Sequence, residues 1–420
     1  MLFYELNKEQ KQIILLSAIG GMLEYYDFAI YSLFAVYFAH QFLPSSDPLL
    51  LIIASYSVFL TGYIARPLGG ILFSHIGDEI GRKTVLIITM VIMGVASLSI
   101  GLLPTYSQIG ILAPILLLFF RLIQGLAIGG ELPSVIVYVT ESMPDKRGFG
   151  VGGIYTGTIS GLIPGMLINF VIIHYLSIDQ INSFGWRIPF ILGGLLCFIA
   201  YQVRKKLHET KAFQRIKEKD KFPFIELLRH HFKEVVIGAA LGSIMAVPLA
   251  LVSVFMPTYL HKIVGLPMRG ISSAILIATI ISAVSVYLMG ALANKFNLVK
   301  LIIGSTILVI IAAIFCYYGI AHSYNLTLSI GIFAIFQGAI ITLPPIFMSY
   351  LFPAHVRLSG VALSYNIASV IFVGLTPIIV TSIIGKTGWV FVAPVLWLMF
   401  VAVISIIAAL KAKKYINNNS

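Results

Sequence analysis

Gly20-Gly21-Met22-Leu23-Glu24-Tyr25-Tyr26-Asp27-Phe28-Ala29-Ile30-Tyr31 places two carboxylates in the middle of an apolar run that begins near Ile13 and ends near Ala39. A run of that length reads as a helix crossing a bilayer. A charge at that depth costs at least ~2.5 kcal/mol, so its presence marks function by default. Glu24 and Asp27 are i,i+3 and share one face, with Tyr31 one turn further on. That face must meet water, a partner charge or a proton.

The whole chain has the same character. It is 59% hydrophobic and 10% charged, too few charges to cover the surface of a soluble protein of 420 residues. Cys197 and Cys316 both lie in apolar runs, which argues against a disulfide framework or a thiolate metal site. No metal-ligand cluster, nucleotide-binding glycine loop or nucleophile–base pairing is legible, and the histidines sit at the ends of apolar runs. No enzymatic role, metal or cofactor is expected. The N-terminus carries Glu5, Lys8, Glu9 and Lys11 before a run too long for a cleavable signal, so the first helix is expected to stay.

Twelve spans are predicted, at about 12–39, 49–74, 84–103, 110–141, 149–175, 185–203, 234–261, 270–293, 299–320, 325–351, 357–384 and 388–410. They are numbered 1 to 12 in chain order. With both termini inside, every Lys and Arg falls in a cytoplasmic segment except Arg187, Lys262, Arg269 and Lys386 outside and Arg66 and Arg121 within spans. That is the positive-inside pattern, so the net charge of +12 reports orientation and not a nucleic-acid surface.

A polar segment divides the spans six and six. It gives an N-terminal bundle 1–203, a cytoplasmic linker 204–233 and a C-terminal bundle 234–420. The linker, rich in Lys and Arg, is expected to form short amphipathic helices held partly by anionic lipid. The halves echo each other faintly: Gln124-Gly125 returns as Gln337-Gly338, and Leu132-Pro133 as Leu343-Pro344. Two such halves are what alternating access requires, with substrate between them near the midplane.

The second copy lacks the charge. After Glu234 there is no Asp or Glu, and no Lys or Arg away from the ends of a span; Ala334 stands where the echo would place Arg121. The mid-membrane ionisable residues are therefore Glu24, Asp27, Arg66, Arg121 and Glu131. Asp27 and Arg121 lie about 12 and about 11 residues from the outer ends of spans 1 and 4, hence at one level, and are expected to pair. Glu131 is ~15 Å along the axis from Arg121, and Arg66 is its expected partner. Proton coupling is assigned to Asp27, with Glu24 as the alternative carrier, and to Arg121, Glu131 and Arg66. That role needs Asp27 and Arg121 to face a solvent-reachable chamber. Tyr25, Tyr26, Tyr31, Gln124, Tyr259, Gln337, Tyr365 and Asn366 are the candidate substrate contacts. Gly129-Gly130 is expected to permit close helix contact.

Several motifs name a family. Gly77-Asp78-Glu79-Ile80-Gly81-Arg82-Lys83 between spans 2 and 3 resembles the signature loop of the major facilitator superfamily, and Arg121-Leu-Ile-Gln124-Gly125 its span-4 motif. Glu24-Tyr25-Tyr26-Asp27-Phe28, Ala65-Arg66-Pro67-Leu68-Gly69, Gly129-Gly130-Glu131, Trp186-Arg187-Ile188-Pro189-Phe190 and Leu207-His208-Glu209-Thr210 are similar to segments of its metabolite:proton symporter family. So is Phe352-Pro353-Ala354-His355-Val356-Arg357-Leu358-Ser359-Gly360. That family includes proline/betaine, ketoglutarate, citrate and shikimate carriers. The resemblance implies twelve helices in two pseudo-symmetric halves and proton-driven uptake across a bacterial inner membrane. It also implies a conformational latch at Gly77, Asp78, Gly81 and Arg82. There are departures: Ser74 replaces the usual Gly, Leu132-Pro133 the usual Trp-Gly, and the second-half loop Ala293-Asn294-Lys295-Phe296-Asn297 has lost its acid.

The expectation is therefore a monomeric proton symporter for a small polar metabolite, favouring a zwitterionic osmolyte or amino-acid-like solute. Membrane lipid and protons are its other partners. Carriage of di- or tricarboxylates, proton-driven export of a drug- or siderophore-like compound, and a non-transporting sensor on this fold are the alternatives.

Overall fold

The computed structural model describes residues 6–42, 48–205, 209 and 223–417. It builds them almost wholly from helices, the form that satisfies every backbone amide within its own segment where lipid offers no partner. Among the described residues, eleven stretches are long and apolar enough to cross a membrane. The twelfth is span 2, the 33-residue helix Pro48–Ile80. Spans 1, 3 and 4 are Lys8–Phe42, Arg82–Leu102 and Leu112–Ser142. Span 5 joins Arg147–Ser160 to Leu162–Tyr175, and span 6 is Arg187–Arg204.

A short helix, Pro223–His230, leads into the second half. It is the described part of the expected linker; Lys206, Lys211, Arg215, Lys217, Lys219 and Lys221 lie outside the described residues. Span 7 begins as Phe232–Ala250, and spans 8, 9 and 10 are Met268–Ala293, Leu298–Ala321 and Leu326–Leu351. Span 11 runs from Arg357–Ala368 to Thr376–Thr387, and span 12 is Ala393–Asn417.

The echo between halves has a packing cause. A methyl on Gly125 of span 4 would lie 2.1 Å from the Gly62 carbonyl oxygen of span 2. One on Gly338 of span 10 would lie 2.4 Å from the Ser282 carbonyl oxygen of span 8. Each glycine that follows a glutamine lets two backbones touch, which fixes its half's helix pair. Between halves, span 5 crosses span 8 at Gly152 and Gly290, where a methyl on either would lie 2.8 or 2.7 Å from the other's Cα.

Two spans lose regular geometry at mid-membrane. Span 7 has a π-helical turn over Leu251–Phe255, three residues after Pro248, and span 11 has one over Ser369–Gly374. Such turns free a carbonyl from the α-ladder and re-aim the side chains that follow. Here they face the space between the halves.

Candidate functional site

Asp27 sits at the centre of a buried polar cluster drawn from three spans. The Ser97 hydroxyl of span 3 donates to its Oδ1. The Gln124 amide of span 4 donates to its Oδ2 at 2.8 Å and to Ser97 Oγ at 2.8 Å. Arg121 Nη1 donates to Gln124 Oε1 at 2.7 Å and stands 3.6 Å from Asp27 Oδ2. Its guanidinium lies 3.4 Å over the Tyr31 ring. The two residues thus share one level, with Gln124 bridging them. They are 2% and 6% exposed, enclosed by helix contacts.

Glu24, one turn inward, is in a different situation. It is fully buried, and neither carboxyl oxygen has a hydrogen-bond partner. It lines a cavity of about 20 Å3, room for the centres of one or two waters, together with Tyr25, Tyr63, Arg66, Ser253 and Val254. Arg66 shares that wall with it, and the Arg66 guanidinium lies 4.0 Å over Tyr63. Ser253 and Val254 come from the π-turn of span 7, so the cavity lies between the halves. Glu24 and Arg66 are on its wall, while Asp27 and Arg121 are not among the residues that line it.

The pairing expected for Glu131 is corrected. Its partner is Arg204, at the inner end of span 6, with Nη1 2.5 Å from Glu131 Oε1. The Thr89 hydroxyl donates to the other oxygen, and Arg204 Nη1 donates to the Leu86 carbonyl at 2.9 Å. Gly20 makes the room: a methyl there would lie 1.7 Å from Arg204 Nη2. Spans 3, 4 and 6 are fastened together by this pair, and neither residue lines the cavity.

The candidate substrate contacts divide. Tyr25 is on the cavity wall, and Tyr365 stands beside Glu24 and Tyr155. Tyr31 and Gln124 belong to the Asp27 cluster. Tyr26 and Tyr259 are spent elsewhere, their hydroxyls donating to the Pro189 and Val390 carbonyls at 2.8 and 3.2 Å. Asn366 spans the halves, donating at 2.8 Å to the Gly129 carbonyl of span 4. Gln337 is buried within span 10.

The inner face is closed by a second set of contacts. Asp78 pairs with Arg82 at 3.0 Å and accepts from the Ser359 backbone at 3.3 Å and its hydroxyl at 2.8 Å. Ser359 is the third residue of span 11, and the residue before that helix, Val356, offers no cap of its own. A first-half carboxylate therefore caps a second-half helix. Arg82 Nη2 donates to the Ala354 carbonyl at 3.2 Å, and Glu141 holds both Arg82 (3.6 Å) and Arg357 (3.2 Å). Ser74, the departure from Gly, meets Ser359 at 3.3 Å. Glu209 accepts from the Arg82 and Lys83 amides at 3.2 and 3.1 Å, capping span 3. Gly81 carries φ 121° at that turn, a conformation that favours glycine.

The second-half loop at Asn294 has no acid. The structure shows what the amide keeps: Asn294 Oδ1 accepts from the Gly148 amide at 3.0 Å, capping span 5 across the halves.

Comparison with known proteins agrees with this architecture. Residues 17–365 match the family model described as Major Facilitator Superfamily. A protein of Staphylococcus aureus (strain COL) named for proline/betaine transport is 33% identical over 394 residues, 91% of this chain and 84% of its own. The glycine betaine/proline/ectoine/pipecolic acid transporter OusA of Dickeya dadantii (strain 3937) is 31% identical over 436 residues, covering 97% of this chain and 84% of its own. Among solved structures, the proton:xylose symporter XylE superposes with a TM-score of 0.78 at 16% identity, over 96% of this chain and 95% of that one. The chain belongs to the Major Facilitator Superfamily, as a multi-pass membrane transporter.

Proposed function

We propose that the protein imports a small zwitterionic osmolyte, a betaine, proline or similar solute, together with a proton. It works by alternating access in a bacterial cytoplasmic membrane, as a monomer with both termini inside. The observation that carries this reading is the cavity wall, where Glu24 and Arg66, opposite in sign, face one space between the halves beside Tyr25 and Tyr63. The names of the relatives support the substrate class. A tricarboxylate would meet a single arginine on that wall, among the described residues.

Coupling follows from competition for Arg66. Ionised Glu24 engages the guanidinium and leaves little for a substrate carboxylate. Protonated Glu24 is neutral, the form a buried carboxyl without a donor tolerates best, and it frees Arg66 to take that carboxylate. The ammonium end then rests on tyrosine faces. Proton and substrate bind together, which is symport driven by the proton gradient. The Asp27–Gln124–Arg121 cluster holds span 1 against spans 3 and 4 and so positions Glu24.

The test is transport in proteoliposomes with labelled glycine betaine and proline under an inward proton gradient. Wild type accumulates one or both. Glu24→Gln fixes the neutral state; it keeps counterflow exchange but no longer concentrates solute. Undiminished accumulation in Glu24→Gln overturns the assignment, and absence of transport of either solute by wild type overturns the substrate class.

A further inference from the structure

The fold gathers three ligand-bearing side chains that the sequence scatters. Glu226 lies in the leading helix Pro223–His230, His231 at the break before span 7, and His355 in the turn between spans 10 and 11. One ligand atom of each lies within 4.8 Å of the other two, and all three residues are half-buried. Residues five apart on an unbroken helix point about 140° from each other. His231, at φ −125° and ψ 19°, interrupts the helix, and the interruption brings its ring to the side of Glu226.

We infer that Glu226, His231 and His355 form a site for a divalent first-row metal ion, with Zn2+ the best match. Two imidazoles and one carboxylate are a borderline nitrogen–oxygen set that Zn2+ binds tetrahedrally, with water in the fourth position. Bonds of ~2.0–2.1 Å put tetrahedral donors about 3.4 Å apart, so the three atoms need to close by little more than an ångström, within reach of rotamer adjustment. His230, whose Nε2 is 3.8 Å from Glu226 Oε2, competes for the same carboxylate from the exposed side.

The place of the site gives it a consequence. Ala354, next to His355, offers the carbonyl that Arg82 grips across the halves. The leading helix touches span 2 as well as span 11. A metal joining this helix to the 353–356 turn fastens the inner face in its closed arrangement. Zinc on the cytoplasmic side therefore slows the cycle.

Binding is measured on the purified full-length protein by calorimetry with Zn2+ alone, and by the absorption spectrum of Co2+. One equivalent is expected. His355→Ala, and the shape-conserving Glu226→Gln, each weaken binding ~10-fold or more, while His230→Ala does not. Equal zinc affinity in wild type and both variants, or no saturable binding, overturns the site. This arm needs no substrate, so it fails or succeeds independently of the proposed function. Counterflow is then measured with Zn2+ on the cytoplasmic face: slowing in wild type and not in His355→Ala is expected. Equal rates in wild type with and without bound zinc overturn the restraint on the inner face.

Discussion

The two halves assemble the same helix pairs with different chemistry. In the first, spans 1, 3, 4 and 6 are joined by charged groups, Asp27 with Arg121 and Glu131 with Arg204. In the second, spans 8, 10, 11 and 12 are joined by hydroxyls and ring N–H groups that bond to neutral acceptors, and a carboxylate enters at the inner end, where Glu234 of span 7 accepts from the Tyr415 hydroxyl of span 12 at 2.5 Å. Thr342 of span 10 donates to the Val286 carbonyl of span 8 at 3.2 Å, Ser285 of span 8 to the Ile335 carbonyl of span 10, and Trp397 Nε1 of span 12 to Thr376 Oγ1 at 2.9 Å. Both halves close span 4 on span 2, or span 10 on span 8, through a glycine that follows a glutamine. The second half shows that this packing needs no ionised group. The first half thus places buried ionised groups, costly in lipid, where the second half joins its helices by neutral ones.

The sharpest way to break this comparison is to make the first half resemble the second. Arg121→Ala installs the residue found at position 334 and leaves Asp27 buried without its cation. Removing one partner of a buried pair costs ~3–5 kcal/mol, so a large fall in melting temperature and loss of uptake are expected. Arg121→Ala combined with Asp27→Asn removes both charges, and most of the stability returns while uptake does not. A single variant that melts like wild type would show that the pair contributes nothing to holding spans 1 and 4.

Depth was readable because a helix rises 1.5 Å per residue: counting inward from the ends of spans 1 and 4 placed Asp27 and Arg121 at one level. Facing was not readable. Every face of a membrane helix is apolar, so periodicity does not tell Tyr25, on the cavity, from Tyr26, bonded to Pro189. Arg204 was hidden by its neighbours, since it opens a run with Lys205 and Lys206 that reads as solvated linker. A signal was present, however. Gly193, Cys197, Ala200 and Arg204 recur at helical spacing and form the buried face of span 6. The cap at Asn294 was not legible either, since the lost acid hides that a neutral amide oxygen accepts from a helix N-terminus as well as a carboxylate does.

The two cross-half caps allow a finer test, because Asp78 on span 11 and Asn294 on span 5 do the same work with and without charge. Asp78→Asn keeps an acceptor for Ser359 and discards the ion pair with Arg82. The closed inner face should lose about 1–2 kcal/mol, a factor of roughly 5–30 in its population relative to the open one. A cysteine placed at Ser253, on the cavity wall, reports this through its rate of labelling by a membrane-impermeant maleimide from the cytoplasmic side. Faster labelling in the Asp78→Asn background is expected. Unchanged labelling would mean that the carboxylate is not what holds the inner face.

Asn294→Asp runs the comparison the other way and carries the smallest effect. The new carboxylate would meet the N-terminus of span 5, where Lys146, the residue before the helix, supplies no side-chain cap. A negative charge at a helix N-terminus is worth ~0.3–1 kcal/mol, so the inner face should close more firmly and labelling at position 253 should slow about two- to five-fold. The sign matters more than the size. If slowing in Asn294→Asp mirrors acceleration in Asp78→Asn, the two loops are equivalent caps that differ only in charge. If Asn294→Asp instead opens the inner face, the second-half loop is tuned for neutrality, and its missing acid is a requirement of the cycle.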